Sequence, residues 1–213
     1  KLVSLKEYVD RMPEGQDKIY YAAGESIARI EAMPQTEQVK DKGYEILYFT
    51  ENVDEFAIRM MQSYQEKQFQ SVLDSNLDLE SEEEKKELEE KQESSKDMLE
   101  TMKKALEGKV GNVKLSGRLK SHPVCLSSEG ELSMEMAKTL NAMPGTEGQK
   151  LQAQTVLEIN PENPIYQRLM DLQTSDTAKL DEYAKLLYDQ ALLIAGMPVE
   201  DPVAFSNRIC DLM

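Results

Sequence analysis

The chain carries one histidine, His122, and two cysteines, Cys125 and Cys210. A protein-held metal needs several nitrogen, sulfur or carboxylate donors converging on one point. His122 has no second histidine nearby, and Cys125 three residues on does not complete a ligand set. Neither a metal site nor a histidine-dependent catalytic group is supported. The cysteines stand far apart in apolar patterns, as expected of reduced thiols in a cytoplasmic protein rather than a disulfide framework. Positive charge is also scarce, with 25 Lys and Arg against 40 Asp and Glu and a net charge of -15. That balance argues against nucleic acid and anionic membrane surfaces as partners, because both need clustered basic groups. No apolar run approaches a membrane span, and Lys1-Leu2-Val3-Ser4 is no signal peptide. The first residue is not methionine, as expected of a fragment of a longer protein.

Nucleotide-binding glycine patterns are missing as well. Gly24 follows an apolar run and precedes a helical segment, a place where phosphates often bind, but it lacks the spacing of a dinucleotide fingerprint or a P-loop. A tight turn explains it. Carboxylates are abundant, but no pair stands out, and a solvated face accounts for them. The residues thus offer no catalytic, cofactor-binding or metal site.

The composition is 40% hydrophobic and 31% charged over 213 residues, enough for one or two domains with cores of their own. Ile19 to Ala23 is a continuous apolar run of the kind buried on both faces of a sheet, and Tyr44 to Phe49 is a second candidate strand. Gln68 to Val72 is a shorter candidate strand. Helices are expected over residues 4–12, after Gly24-Glu25-Ser26 through Ile30, from Pro34 to Lys42, and from Val53 to Gln65, the last with Phe56, Met60 and Tyr64 on one face. This alternation implies an α/β first part with a small parallel sheet. Composition turns acidic from Leu73 to Glu93, which reads as a linker and the solvated start of a helix running to Leu106. The boundary is expected near Asn76. The second part reads as α+β, with strands at 110–119, 123–127 and 155–159, helices at 131–143 and 165–172, and a terminal helix hairpin.

Two helical patterns invite function. In 131–143, Leu132, Met136, Leu140 and Met143 form one apolar stripe, while Met134 lies on the other side; Pro144-Gly145 should stop the helix. Such a helix packs on its own domain or also exposes an adaptable surface, since methionine suits promiscuous contact. In the hairpin, Leu180, Tyr183, Ala184, Leu187, Ala191 and Ile194 share a face that Leu186 and Leu192 widen. Gly196 and Pro198 stop that helix, and Asp201-Pro202 opens the next, striped by Phe205, Ile209 and Leu212. The stripes must be buried in the chain's own core or in a two-fold dimer, where two hairpins make a four-helix bundle. Pattern alone leaves both open.

Several segments together resemble the ninety-kilodalton heat-shock chaperone family in its bacterial form. They are Ser4 to Met12, Gln16 to Tyr21, Gly24-Glu25-Ser26, Gly43 to Tyr48, Val53 to Phe56, Leu157 to Pro161 and Leu186 to Leu193. The resemblance covers essentially the whole chain. It implies a C-terminal fragment of an ATP-driven chaperone, with 1–76 as the small three-layer αβα part of the middle domain and 77–213 as the dimerisation domain. It implies a homodimer held by Leu180, Tyr183, Ala184, Leu187, Ala191, Leu192, Phe205, Ile209 and Leu212. It also implies contact with unfolded or partly folded clients through Leu132, Met134, Met136 and Leu140. ATP and magnesium are implied for the full-length protein and no cofactor for this part, whose expected role is not enzymatic. Two departures stand out. The helix that carries tryptophan in many members reads Leu132 to Lys138 here, without one. The chain closes on Asp211-Leu212-Met213 without the acidic tail of eukaryotic cytosolic members, so partners that read that tail are not expected. The competing reading is a stand-alone small α/β enzyme or ligand binder, whose candidate lips are Gly24 and the Thr50-Glu51-Asn52 turn.

Overall fold

The computed structural model describes residues 2–143 and 151–212. The chain is mixed α/β, with two small sheets, and divides into two compact units. One comprises Lys1–Leu79 and Ser128–Ala153, and the other Glu80–Ser127 and Gln154–Met213.

The first unit opens with helix α1 (Leu5–Asp10), started by a capping box in which Ser4 and Glu7 satisfy each other's backbone N–H groups. Strand β1 (Lys18–Ala23) is the centre of a sheet, parallel on one side to β2 (Ile46–Phe49) and on the other to β4 (Lys67–Ser71). The short β3 (Ser63–Tyr64) pairs antiparallel to β4. Side chains alternate across β1, and both faces are covered, which is why its sequence is uniformly apolar. Tyr20 and Ala22 pack with Ile30 of α2 (Ile27–Glu31) and Val39 of α3 (Glu37–Asp41). Ile19 and Tyr21 pack with Tyr8 and with Ile58 of α4 (Asp54–Met61). The buried Tyr8 hydroxyl donates to the Glu45 carbonyl at 2.6 Å and accepts from the Tyr20 backbone N–H at 3.1 Å, tying α1 to β1 and to the residue ahead of β2.

One expectation is overturned here. The helix from Val53 to Gln65 stops at Met61, so Phe56, Met60 and Tyr64 do not share a face: Met60 is 85% exposed and Tyr64 belongs to β3. The cause is the backbone. Gln62 takes φ 62°, and Gln65 and Glu66 take φ 47° and 65° in the turn between β3 and β4. Ile58 and Glu55 are what α4 buries.

The second unit begins with α5 (Glu82–Ser94) and α6 (Lys96–Ala105), where one helix is expected from the acidic stretch to Leu106. The break falls at buried Ser95, whose hydroxyl donates to the Lys91 carbonyl and shares a 2.7 Å hydrogen bond with Tyr166. Leu99, Met102 and Leu106 are buried as expected, and Leu88 half-buried. Strands β5 (Asn112–Leu115) and β6 (Val124–Glu129) follow. At Ser128 the chain re-enters the first unit by bridging Asp74, and α7 (Met134–Asn141) packs there. The Pro144-Gly145 stop lies outside the described residues. Strand β7 (Gln154–Ile159) then completes the order β5-β7-β6, parallel to β5 with Val113 opposite Leu157.

Helices α8 (Pro164–Ser175), α9 (Thr177–Ala195) and α10 (Pro202–Leu212) close the second unit. Asn163 caps α8 ahead of Pro164 at its first turn. Gly196 ends α9 at φ 74°, with Met197 N–H returning to the Leu192 carbonyl at 2.8 Å. Asp201 accepts from the Val203 and Ala204 N–H groups at 3.1 and 2.9 Å, starting α10. The core of this unit holds a complete ion pair. Arg118 forks onto Glu158, and Ser116 and Ser127 donate to the same carboxylate at 2.8 and 2.6 Å. Burial alone would raise the Glu158 carboxyl, but Arg118, Lys114 and the donated hydrogen bonds outweigh it and hold it below the usual range.

Candidate functional site

Helix α7 is fixed at its start by local and distant bonds. Ser133, the N-cap, accepts from the Met136 N–H at 3.1 Å, and Ser128 accepts from the Met134 N–H at 3.2 Å. The Ser133 hydroxyl also donates to Glu55 at 2.7 Å. Glu55 is buried, and Arg59 joins it to Asp74 with contacts of 3.2 and 3.1 Å. Thus the residues that orient α7 lie 70 or more positions away as well as beside it. Met134 and Ala137 face inward and are buried; Leu132, Met136 and Leu140 are half-buried, and Met143 is 46% exposed. The apolar surface that α7 leaves uncovered therefore belongs to the Met136 side, with Met134 serving the core of the unit.

A cleft of about 230 Å³ opens beside α7, at the carboxyl ends of β1 and β2. Gly24 and the Thr50-Glu51-Asn52 turn, separate in sequence, line it together, as do Glu135, Met136 and Lys138. Gly24 is there because of packing: a Cβ on it would stand 2.9 Å from Ile30 Cγ1. Its N–H donates to the Phe49 carbonyl at 3.0 Å, carrying the β1–β2 pairing one residue past the strand. Lys138 pairs with Glu25, which Arg29 also approaches at 3.6 Å. Burial pushes the Glu135 carboxyl above its usual range, Lys138 opposes that, and Glu25 and Glu55 add to it. The arrangement can bind and orient a chain or small group. Among the described residues no cluster of three or more His, Cys, Asp or Glu is placed to hold a metal ion. Glu55, Glu135 and Lys138 carry no signal in the sequence beyond charge, and the helix expected from Glu131 begins only at Met134, after its Ser133 cap.

The residues expected on the terminal helices separate by burial. Leu180, Ala184, Leu187, Ala191 and Leu192 are buried inside the single chain, on a helix that packs against α6 and α8. Tyr183 and Phe205 are half-buried. Ile209 is 37% exposed, alongside Leu193 at 49% and Val203 at 70%. Leu212 lies in α10, its side chain outside the described residues. Arg208 fastens α10 to α9, donating to Glu182 at 3.0 Å and Asp189 at 2.8 Å. Buried Cys125 and exposed Cys210 are not joined by a disulfide. His122 stands half-buried beside Ser121, with 2.9 Å between Nδ1 and the hydroxyl. No helix among the described residues is long and apolar enough to cross a membrane.

The family model described as Hsp90 protein matches residues 1–213. Chaperone protein HtpG of Bacillus subtilis (strain 168) is 56% identical over 213 residues, all of this chain and 34% of that protein. Chaperone protein HtpG of Halalkalibacterium halodurans is 58% identical over the same span, again 34% of its length. The Clostridium perfringens (strain ATCC 13124) protein of that name is 57% identical, with 33% covered. The chain spans about a third of the length of the curated relatives it matches.

Proposed function

The chain belongs to the Hsp90 family, and from that premise we propose that it is the dimerising, client-contacting C-terminal portion of an ATP-driven bacterial chaperone. In this reading residues 1–76 are the small part of the middle domain and 77–213 the dimerisation domain. The portion itself does not turn over ATP; ATP and magnesium belong to segments outside these residues, and the protein works in the cytoplasm without nucleic acid or membrane partners. Two copies joined here tether two ATPase arms and raise their effective concentration for each other.

One observation carries the proposal: α9 and α10 are already anchored within their unit, yet Leu193, Val203 and Ile209 remain exposed. Direct contact with a second chain falls to these residues, with half-buried Tyr183 and Phe205 beside them. The buried Leu180, Ala184, Leu187, Ala191 and Leu192 support that face from beneath. A two-fold interface meets itself, so each residue acts twice. Client contact falls to Leu132, Met136 and Leu140, with Met134 holding α7 in place.

The test is Val203→Glu with Ile209→Glu, followed by analytical ultracentrifugation without nucleotide and by circular dichroism. Both sites are exposed, so the fold should survive. The unmodified chain should sediment as a dimer and the variant as a folded monomer. A folded variant that dimerises as tightly as the parent would overturn the assignment.

A further inference from the structure

The cleft beside α7 has an unbalanced interior. Glu25, Glu51, Glu55 and Glu135 line it, with Lys138 as the lysine among its lining residues. Glu55 is satisfied by Arg59 and Ser133, and Glu25 is taken by Lys138. Glu135 differs: its side chain is only 22% exposed, and its ion-pair neighbour Lys138 stands 3.9 Å away while already engaged by Glu25. A carboxylate held largely out of water with only a long, shared ion pair is costly to its own protein. Burial accordingly raises its proton affinity. Beside it the cleft walls are apolar, formed by Phe49, Met136, Ala23 and Ala142. Aliphatic stems that end in a charge suit such a mixed surface, because the stem covers apolar atoms while the head stays with polar ones.

Resting on the client-contact reading above, we propose that this cleft takes a lysine or arginine side chain of an unfolded client segment, the stem along Met136 and Phe49 and the charge at Glu135 and Glu51. The apolar contact supplies adhesion, and Glu135 selects which segments dwell there. Charge complementarity of this kind contributes more to selection than to raw affinity. The client class is therefore apolar segments interrupted by positive charge, and a like-charged acidic segment is rejected by the same carboxylates.

The experiment uses the 213-residue chain and two fluorescein-labelled unstructured peptides of glycine, serine and leucine. One carries a central arginine; the other carries citrulline, its uncharged isostere. The arginine peptide should bind roughly fivefold more tightly at low salt, the scale of one partly exposed ion pair. Glu135→Gln should bring that ratio to about one, and Met136→Ser should weaken both peptides together. Equal affinities for the unmodified chain, with both peptides weakened by Met136→Ser, would overturn the charge selection and leave client contact standing. A ratio that persists in Glu135→Gln would overturn the role of Glu135. Failure of either peptide to bind would overturn both readings.

Discussion

Replacing Glu158 by glutamine tests whether the second unit depends on its buried ion pair. The Glu158 side chain is 1% exposed and that of Arg118 is 3% exposed, so water screens neither. Glutamine keeps the shape and can still accept from Ser116 or Ser127, but it removes the carboxylate onto which the buried Arg118 guanidinium forks and leaves the Glu80 charge as a lesser compensation. Breaking such a pair from one side costs about 3–5 kcal/mol, mostly the desolvation of the charge left behind. Lys114, 3.5 Å from Glu158, loses that contact too, but it is 30% exposed and can turn to water. Urea unfolding followed by circular dichroism should therefore show a loss of about 3–5 kcal/mol for Glu158→Gln. The double replacement Arg118→Met with Glu158→Leu should recover most of it, since an apolar pair of similar size pays no desolvation. The pH dependence has a definite sign. Glu158 is depressed below the ordinary 4.5, so its contribution is fully present above that value and lost as pH falls through the folded one. The gap between parent and Glu158→Gln should then narrow on acidification below 4.5. A loss under about 1 kcal/mol at neutral pH would refute the reasoning, because that is the scale of an exposed pair.

Glu135 should behave in the opposite sense. Its carboxyl is raised above 4.5, so the parent loses stability as pH climbs through the raised value; Glu135→Gln should be the more stable chain at pH 7 and equal to the parent below 4.5, as read by thermal unfolding at a series of pH values. Gly24→Ala should cost about 1–3 kcal/mol in the first unit, since its Cβ meets Ile30 and that side chain is wholly buried; unfolding by urea measures it, and a neutral result would show that Ile30 repacks freely.

Local rules made much of the fold legible, and distance in sequence hid the rest. The apolar run Ile19 to Ala23 predicts a doubly covered central strand, and β1 is one. Gly196 and Asp201-Pro202 predict the end of α9 and the start of α10, and both caps form as expected. The early end of α4 was invisible because its left-handed residues are Gln62, Gln65 and Glu66, where glycine or asparagine would have announced the turn. The break at Ser95 depends on Tyr166, 71 residues later. The cleft was half legible: Gly24 and Thr50 to Asn52 were recognisable as the segments that follow two strands. Nothing local, however, could place Glu135 beside them or link Ser133 to Glu55, since those meetings depend on tertiary packing.

The exposed thiol of Cys210 on α10 offers the most direct measurement of the proposed dimer, because Cys125 is buried and leaves a single labelling site. A nitroxide attached there should report, by pulsed dipolar spectroscopy, one narrow distance between two chains. That distance should lie within roughly 30 Å, since neighbouring helices of one bundle stand only about 8–10 Å apart and the label linkers add the remainder. The account predicts this signal without nucleotide and its disappearance in Val203→Glu with Ile209→Glu. A sample with no dipolar modulation, or the same distance in both proteins, would contradict it.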